Sequence, residues 1–422
     1  MSLQIFNPPG KGPVMVFRSA GKTVDNSARL QSALNQLAAA SQTSSYYVPE
    51  FIFDGLCGIA SGVSIAPGYE SAFHMRGANP LSGIIGIAGS EGSSLLRISS
   101  ATAPTYYSLY STIQNMQVST AVEKTGGYAI EINTGWRVKV HKVVMQAYNS
   151  THLYHGIKLG DGSCICNIER CQIYDFKRHG IHVTMTGKNY VSTGLGYGTT
   201  PQVHHNDLFG ADTTSIGYMG EGGDGHNLSF NGFVRCGTAG MILRAPSEPS
   251  PQLGASWCYG NVFSDLGGDG ILIDGTNYSV GDWNFTDNYI GTNLGRGLKI
   301  IGSHTTGITY RGGEIGANNL GGVFIGAGTK DVVIESVKIA NNGTTGIEVE
   351  SGATDWAIMG NRIADSLGTG ALGSGYDQTY GVKFNGSHNN YRFVNNDLRG
   401  NITSGTTGTP GGSNKIDTPN LT

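Results

Sequence analysis

The chain has 422 residues, among them 66 glycines but only 13 prolines, with 38% hydrophobic and 9% aromatic residues. Glycine at this level without a Gly-x-y period excludes collagen, and the apolar content excludes a wholly disordered chain. Charged residues are only 14% and the formal net charge is -3, so there is no electrostatic case for nucleic acid or an acidic membrane as partner.

The start, Met1-Ser2-Leu3-Gln4-Ile5-Phe6-Asn7-Pro8-Pro9, lacks the basic region and apolar core of a signal peptide, and no run is long enough to span a bilayer. The expectation is a protein made in a cytoplasm and not exported by a standard route. A phage structural protein released by lysis would look the same. Residues 1–20 read as an N-terminal arm. Asp25-Asn26-Ser27 predicts a helix cap, followed by a helix from about Ser27 to Ala40 with Leu30, Ala33, Leu34 and Leu37 on one face. Tyr46-Tyr47-Val48-Pro49 and Val63-Ser64-Ile65 read as the first strands, continued by Phe73 to Gly77 and Ser94 to Ile98. Residues 21–100 thus predict a capping helix and first rungs.

From there a repeat dominates. Gly-apolar-x-apolar recurs at Gly156, Gly180, Gly240, Gly270, Gly297, Gly322, Gly346 and Gly381. Gly127-Tyr128-Ala129-Ile130 reads as an earlier copy, and Ser215-Ile216-Gly217-Tyr218 as a degenerate one. A second column runs in phase: Asn206, Asn231, Asn261, Asn288, Asn361 and Asn396, with Cys171, Gly313 and Val337 in the same register. Three residues before each stands an apolar residue, from Ile168 and Val203 through Ile334 and Ile358 to Phe393. Two residues after each stands another, from Ile173 to Leu398.

Apolar residues at spacing two mark strands with one buried face. Gly and Asn between short strands predict tight corners, since both tolerate the left-handed conformation. A single rung has no core, so rungs must stack at about 4.8 Å as parallel strands, with like residues in ladders. The predicted fold is all-β: a right-handed parallel β-helix of about ten or eleven rungs with a short N-terminal capping helix. The coil spans 101–400, and the Gly/Thr/Ser-rich residues 401–422 read as a flexible or strand-exchanged tail. A leucine-rich repeat has a similar period, but the inward positions here are Ile, Val and Phe, and no helical segment separates the strands. The six cysteines make no disulfide framework. Cys164, Cys166 and Cys171 read as core residues rather than metal ligands.

The order Asp25-Asn26, Leu30-Gln31, Ala33-Leu34, then a strand ending in Val48-Pro49, then the Gly-Ile-x-Ile and Asn columns, resembles the pectate-lyase-like β-helix superfamily. Within it the chain resembles phage tailspikes and related surface-polysaccharide depolymerases, over roughly residues 20–400. The resemblance implies a virion tail or surface protein, a homotrimer, with a bacterial surface polysaccharide and other virion proteins as partners. A secreted bacterial enzyme is the alternative. The fold hosts lyases, hydrolases, epimerases and non-catalytic binders, so chemistry must be read from sites.

Three outward clusters are candidates. The first follows the Gly-Ile-x-Ile strand: Lys158, Asp161, His182, Arg244, Asp269 and Asp274. Arg244 and Asp274 share an offset one rung apart, which suits either a sugar clamp or a plain surface ion pair. The second is the corner Gly220-Glu221-Gly222-Gly223-Asp224-Gly225-His226, where Glu221 and Asp224 suit acid and base in glycosidic cleavage. Solvated acids on a wide turn would look the same. The third is the column Glu169, His204, Tyr259, Arg311 and Glu335 with Trp257 beside it, which suits a sugar-binding groove or a protomer contact.

Arg178-His179-Gly180-Ile181 resembles the His-Gly element of polygalacturonases, but the paired Asp residues before it and the Arg-x-Lys after it are missing. No family catalytic residue is carried over. The expected catalytic residues are Glu221, Asp224, Asp274 and Asp269; Trp257, Tyr259, His204, Glu169, Arg244, His182, Lys158 and Arg178 are the expected substrate contacts. Hydrolysis by paired carboxylates is the first expectation and β-elimination the second, where Lys158, Arg178, His182 and Arg244 would supply cations. A non-catalytic receptor-binding or decoration protein is the rival. No calcium loop or P-loop is present, so no metal or cofactor is expected.

Overall fold

A strand with one apolar face is stable only when neighbours above and below satisfy its backbone and a facing strand covers its side chains. The computed structural model of the chain shows how the repeat meets both needs. It describes every residue except 1–2, 10, 44–47, 67–71, 100–107, 134, 161–162, 164, 185–199, 212, 246–252, 368–373, 412–414, 418 and 422. Asp161, Cys164, Tyr46 and Tyr47 therefore lie outside the described residues. The chain forms two units, Met1–Ser215 and Ile216–Thr422.

The first unit opens with a hairpin the sequence did not signal: Leu3–Phe6 pairs antiparallel with Val14–Arg18. Val14–Arg18 then starts a column of parallel strands that runs through Glu50–Asp54, His74–Gly77, Thr112–Thr120, Lys139–Met145, Asn167–Glu169 and Gln202–His204. Another column stacks Val63–Ile65, Leu96–Ile98, Tyr128–Ile132, Leu153–Leu159 and the end of Gln172–Thr184.

The predicted helix is present as Ser27–Thr43. Asp25 Oδ1 accepts the Ser27 amide at 2.9 Å, and the Asn26 carbonyl accepts the Leu30 amide at 2.8 Å. Leu30, Ala33, Leu34 and Leu37 are buried. The helix also covers the strand edge, because the Gln31 amide pairs with both backbone groups of Ser64, at 2.8 and 2.7 Å.

In the second unit one column runs from Asn227–Ser229 through Ser256–Tyr259, Val280–Thr286, Thr305–Arg311, Lys330–Glu335, Ala357–Met359 and Tyr391–Val394 to Lys415–Asp417. Another runs from Ile216–Glu221 through Ala239–Arg244, Asp269–Asp274, Arg296–Ile301, Gly321–Ile325, Thr345–Val349 and Tyr380–Phe384 to Ser404–Thr407. The coil therefore continues past residue 400, where the sequence suggested a tail. Asn401 and Asn420 extend its amide ladders. The inward residues flanking the asparagine register, Ile334 and Ile358 included, are buried throughout.

The asparagines stack as expected: Asn231 donates to Asn261 Oδ1 and Asn261 to Asn288 Oδ1, at 2.9 and 3.0 Å. A second ladder, Asn293, Asn318 and Asn342, escaped the sequence reading. The corner chemistry needs correction. The left-handed conformation belongs to the residue before each ladder asparagine, such as His205, Phe230, Gly260 and Asp287, not to the asparagine itself. The repeat glycines are required for space instead: a Cβ on Gly322 would stand 2.4 Å from the Gly346 carbonyl, and one on Gly346 2.7 Å from that of Gly381.

Every cysteine described is free and buried, and no disulfide occurs among the described residues. No helix there is long and apolar enough to cross a membrane.

Candidate functional site

Outward residues of stacked strands form columns, and in the first unit two such columns lie side by side. In-register pairing stacks Ser64, Arg97, Glu131, Lys158 and His182. Three residues earlier on the same strands, it stacks Tyr128, His155 and His179. The sequence offered Lys158 and His182 but missed the rest, because it aligned Gly127 with Gly156. The true partner of Gly156 is Ala129, since Ile130 pairs with Ile157. With that two-residue shift the tyrosine and histidines fall into one ladder.

Their geometry is tight. Tyr128 Oη lies 2.8 Å from His182 Nδ1, and His182 is buried. The Tyr128 ring stacks on His155 at 4.3 Å and 17°; the His155–His179 and His179–His182 centroids are 4.8 and 4.2 Å apart. Burial, aided by the neighbouring positive groups, pushes His155 down to about 3 and His179 to about 2, so both stay neutral. Lys158 Nζ stands 5.6 Å over the Tyr128 ring and 3.5 Å from Glu131 Oε1. Burial alone would raise Glu131, but hydrogen bonds from Ser94, Asn133 and Arg97 outweigh it and hold the carboxyl low. A groove of about 440 Å³ opens on the Tyr128 and Glu131 side of these columns, walled by Ser64, Ser94, Arg97, Tyr128, Glu131 and glycines. Lys124, buried and lowered to about 8 by desolvation, supports the wall by donating to the Ser93 carbonyl at 2.7 Å.

The other expected residues of this unit lie elsewhere. Arg178 is exposed beside His179 on the Gln172–Thr184 strand. Glu169 and His204 are in-register neighbours. Glu169 is tied to Lys139 at 2.8 Å, which holds its carboxyl low, and His204 meets Gln202 at 3.1 Å.

In the second unit the Gly-rich corner is pinned from inside. His226 is fully buried; its Nδ1 faces Tyr218 Oη at 2.5 Å and its Nε2 lies 3.2 Å from the Gly222 carbonyl. Desolvation lowers it to about 4, which keeps it neutral and able to make both bonds. Glu221 ends the Ile216–Glu221 strand, half-buried, and Asp224 stands exposed at the turn, bridged to Gly254. Partial burial of the Asp224 carboxyl raises it above its usual range.

Arg244 and Asp274 pair as the offset implied, with Nε and Nη2 both 2.8 Å from Oδ2. Burial alone would raise Asp274, but Thr276 and Arg244 hold it low. Asp269 accepts the Arg296 amide at 2.8 Å, with Lys299 at 3.8 Å. Both aspartates are thus committed to local partners.

Trp257 and Tyr259 point outward from the Ser256–Tyr259 strand, 50% and 40% exposed. Phe230, also 50% exposed, packs edge-on to Tyr259 at 5.0 Å. Its φ of +55° would be cheap for glycine but is costly for an aromatic residue, about 1–3 kcal/mol. Gly260 leaves room for its ring, because a Cβ there would meet Phe230 at 2.7 Å. Val262 and Tyr289 extend this apolar surface. The sequence reading found Trp257 and Tyr259 but not Phe230, which sits at a corner rather than in a strand. Arg311 and Glu335 of the same column form an exposed ion pair at 2.8 Å.

Residues 254–418 match the model of the right handed beta helix region. No curated protein matches the chain. Among solved structures, the chain is similar to the catalytic domain of a GH87 alpha-1,3-glucanase in complex with tetrasaccharides, at 15% identity and a TM-score of 0.54, covering 100% of this chain and 70% of that one. It is equally similar to tailspike protein 3 of bacteriophage CBA120, at 12% identity and a TM-score of 0.54, covering 95% of this chain and 60% of the tailspike. At these identities the likeness is one of fold, that of a right-handed β-helix.

Proposed function

We propose that this protein is a tailspike-like virion protein, assembled as a homotrimer, that binds a bacterial surface polysaccharide and hydrolyses it. The observation that carries the reading is the exposed aromatic surface of Phe230, Trp257 and Tyr259. Aromatic faces pack on the C–H faces of sugar rings, and Phe230 holds its half-exposed ring beside Tyr259 in spite of a left-handed backbone. The fold shared with a tailspike and with a glucanase domain holding tetrasaccharides supports it.

Asp224 and Glu221 are the catalytic pair in this reading. In this reading Asp224, whose carboxyl partial burial shifts upward, is the acid that protonates the leaving oxygen, while the Glu221 carboxylate activates water. Asp274 and Asp269 act through position, with Arg244 as a sugar contact. Incubation with capsule or O-antigen preparations should give new reducing ends, and Glu221→Gln and Asp224→Asn should each lower that rate by about 100-fold or more without moving thermal unfolding. Full turnover in both variants would discard the pair. Binding with no product would favour a non-catalytic receptor-binding protein.

A further inference from the structure

We propose that Asn385-Gly386 is a self-modification site: the asparagine amide is lost to water through a cyclic imide, and the acid left behind loosens the last rungs of the second unit. The inference uses none of the residues assigned to glycan binding or hydrolysis.

Asparagine followed by glycine is open to this chemistry because no Cβ shields the glycine nitrogen from the preceding side chain. The glycine nitrogen bonds to the asparagine Cγ, the Cγ–Nδ2 bond breaks, and the proton of the glycine amide leaves with Nδ2 as ammonia. Water then opens the ring at one of its two carbonyls. One opening gives aspartate. The other gives isoaspartate, in which the main chain runs through Cγ and is one methylene longer. No other reactant is needed.

The chain has three such pairs, Asn231-Gly232, Asn342-Gly343 and Asn385-Gly386, and the fold separates them. Asn231 and Asn342 are buried ladder residues. Asn231 Nδ2 donates to Asn261 Oδ1 at 2.9 Å and Asn342 Nδ2 to the Ile315 carbonyl at 3.0 Å, while the Gly343 amide donates to the Asn318 carbonyl at 2.8 Å. Ring closure at either pair requires the coil to open locally. Asn385 and Gly386 instead form the corner after the Tyr380–Phe384 strand, with Asn385 half-buried and Gly386 exposed. The Gly386 amide donates no hydrogen bond among the described residues, so the nucleophile is uncommitted. The corner also demands glycine: its φ is +79°, and a Cβ there would stand 2.9 Å from the Ser351 side chain.

The partners of Asn385 set what the acid does. Asn385 Nδ2 donates to Glu348 Oε1 at 3.1 Å and to Glu350 Oε1 at 2.9 Å. Arg296 and Lys383 bind Glu348 at 2.7 and 2.8 Å. The leaving nitrogen departs into a cradle that suits a cation, and a new carboxylate remains where both neighbours need a donor. Isoaspartate adds a second disturbance. His388, three residues on, is fully buried, with its ring centroid 5.7 Å from that of Trp356 and 6.0 Å from that of Phe384. Neither of its ring nitrogens has a hydrogen-bond partner. A longer main chain therefore displaces a ring that no hydrogen bond holds.

The test incubates the folded full chain in mildly alkaline buffer and follows all three pairs by peptide mass mapping, with chain unfolded in urea alongside. In the folded protein Asn385 should convert about 10-fold or more faster than Asn231 and Asn342, whereas in urea the three rates should come together. Asn385→Asp, made directly, should lower the urea midpoint read by Trp356 fluorescence at neutral pH. That deficit should shrink in acid, as the crowded carboxylates of Glu348, Glu350 and the new side chain take up protons. Asn385 left intact in the folded chain while it converts in urea, or equal rates at all three pairs in the folded chain, would overturn the site. An unchanged midpoint for Asn385→Asp would overturn the loosening.

Discussion

Gly346→Ala probes the stacking that positions every outward residue. A Cβ at 346 would lie 2.4 Å from Ile363 Cγ2, 2.7 Å from the Gly381 carbonyl and 3.0 Å from Gln378 Nε2. Gly346 is not in the left-handed region, so alanine meets no backbone strain there. On chain entropy alone it would stabilise by about 0.4–1 kcal/mol. The contacts oppose this. Ile363 is fully buried, and the Gly381 carbonyl belongs to the neighbouring strand, so relief requires moving a packed side chain and the backbone together. Overpacking of this kind costs about 1–3 kcal/mol, which leaves a net loss of about 1–2 kcal/mol. Gly411→Ala is the control, because among the described residues its Cβ would meet nothing closer than Ser387 Oγ at 3.4 Å. Repeat arrays can unfold in parts, so a local reporter is needed. Trp356 serves, stacked on Tyr391 at 4.6 Å and on Phe384 at 5.8 Å. Urea unfolding followed by its fluorescence should show the loss for Gly346→Ala and little change for Gly411→Ala. Equal stability of Gly346→Ala and wild type would refute the spacing argument.

Three further outcomes follow from buried polar groups. Asn261→Ala strands the Asn231 amide and the Leu228 carbonyl inside the coil and should cost about 2–5 kcal/mol in urea unfolding; a loss below about 1 kcal/mol would contradict the ladder. Glu348, bound by Arg296, Lys383 and Asn385, is held below its usual 4.5 although burial opposes this. Its contribution is present above that value and lost as pH falls through the lowered one, so Glu348→Gln should cost about 1–3 kcal/mol at neutral pH and little in strong acid. His226 drops from 6.5 to about 4 on burial, so the unfolded chain takes its proton first and stability falls as pH falls between those values, by up to about 3 kcal/mol. His226→Gln should flatten that part of the pH–stability curve, and an identical slope in the variant would count against the buried neutral imidazole.

The fold was legible because burial has a period. Ile334, Ile358 and Ile363 repeat at fixed offsets from the asparagine register, and all are buried. What failed was register where the repeat letter changed. Ala129 stands where later rungs carry glycine, and the misalignment hid Tyr128 and Glu131 from the His155 and Lys158 they meet. The Val14–Arg18 strand was missed because Val14-Met15-Val16-Phe17 is apolar on both faces, so no alternation marks it. Outward chemistry was harder still. Nothing in the sequence distinguishes Asp269, committed to the Arg296 amide, from Asp224, whose carboxyl is raised. Which acids have partners depends on contacts one rung away.

Glycan binding on the aromatic surface is most directly tested by the fluorescence of Trp257. Trp283 and Trp356 are buried, whereas Trp257 is half exposed. Surface polysaccharide from a susceptible bacterium should shield wild-type protein from acrylamide quenching, and Trp257→Phe should remove that part of the protection while Tyr259→Ala weakens binding. Polysaccharide bound at full affinity with quenching unchanged, in wild type and Trp257→Phe alike, would contradict the placement of the glycan on this face.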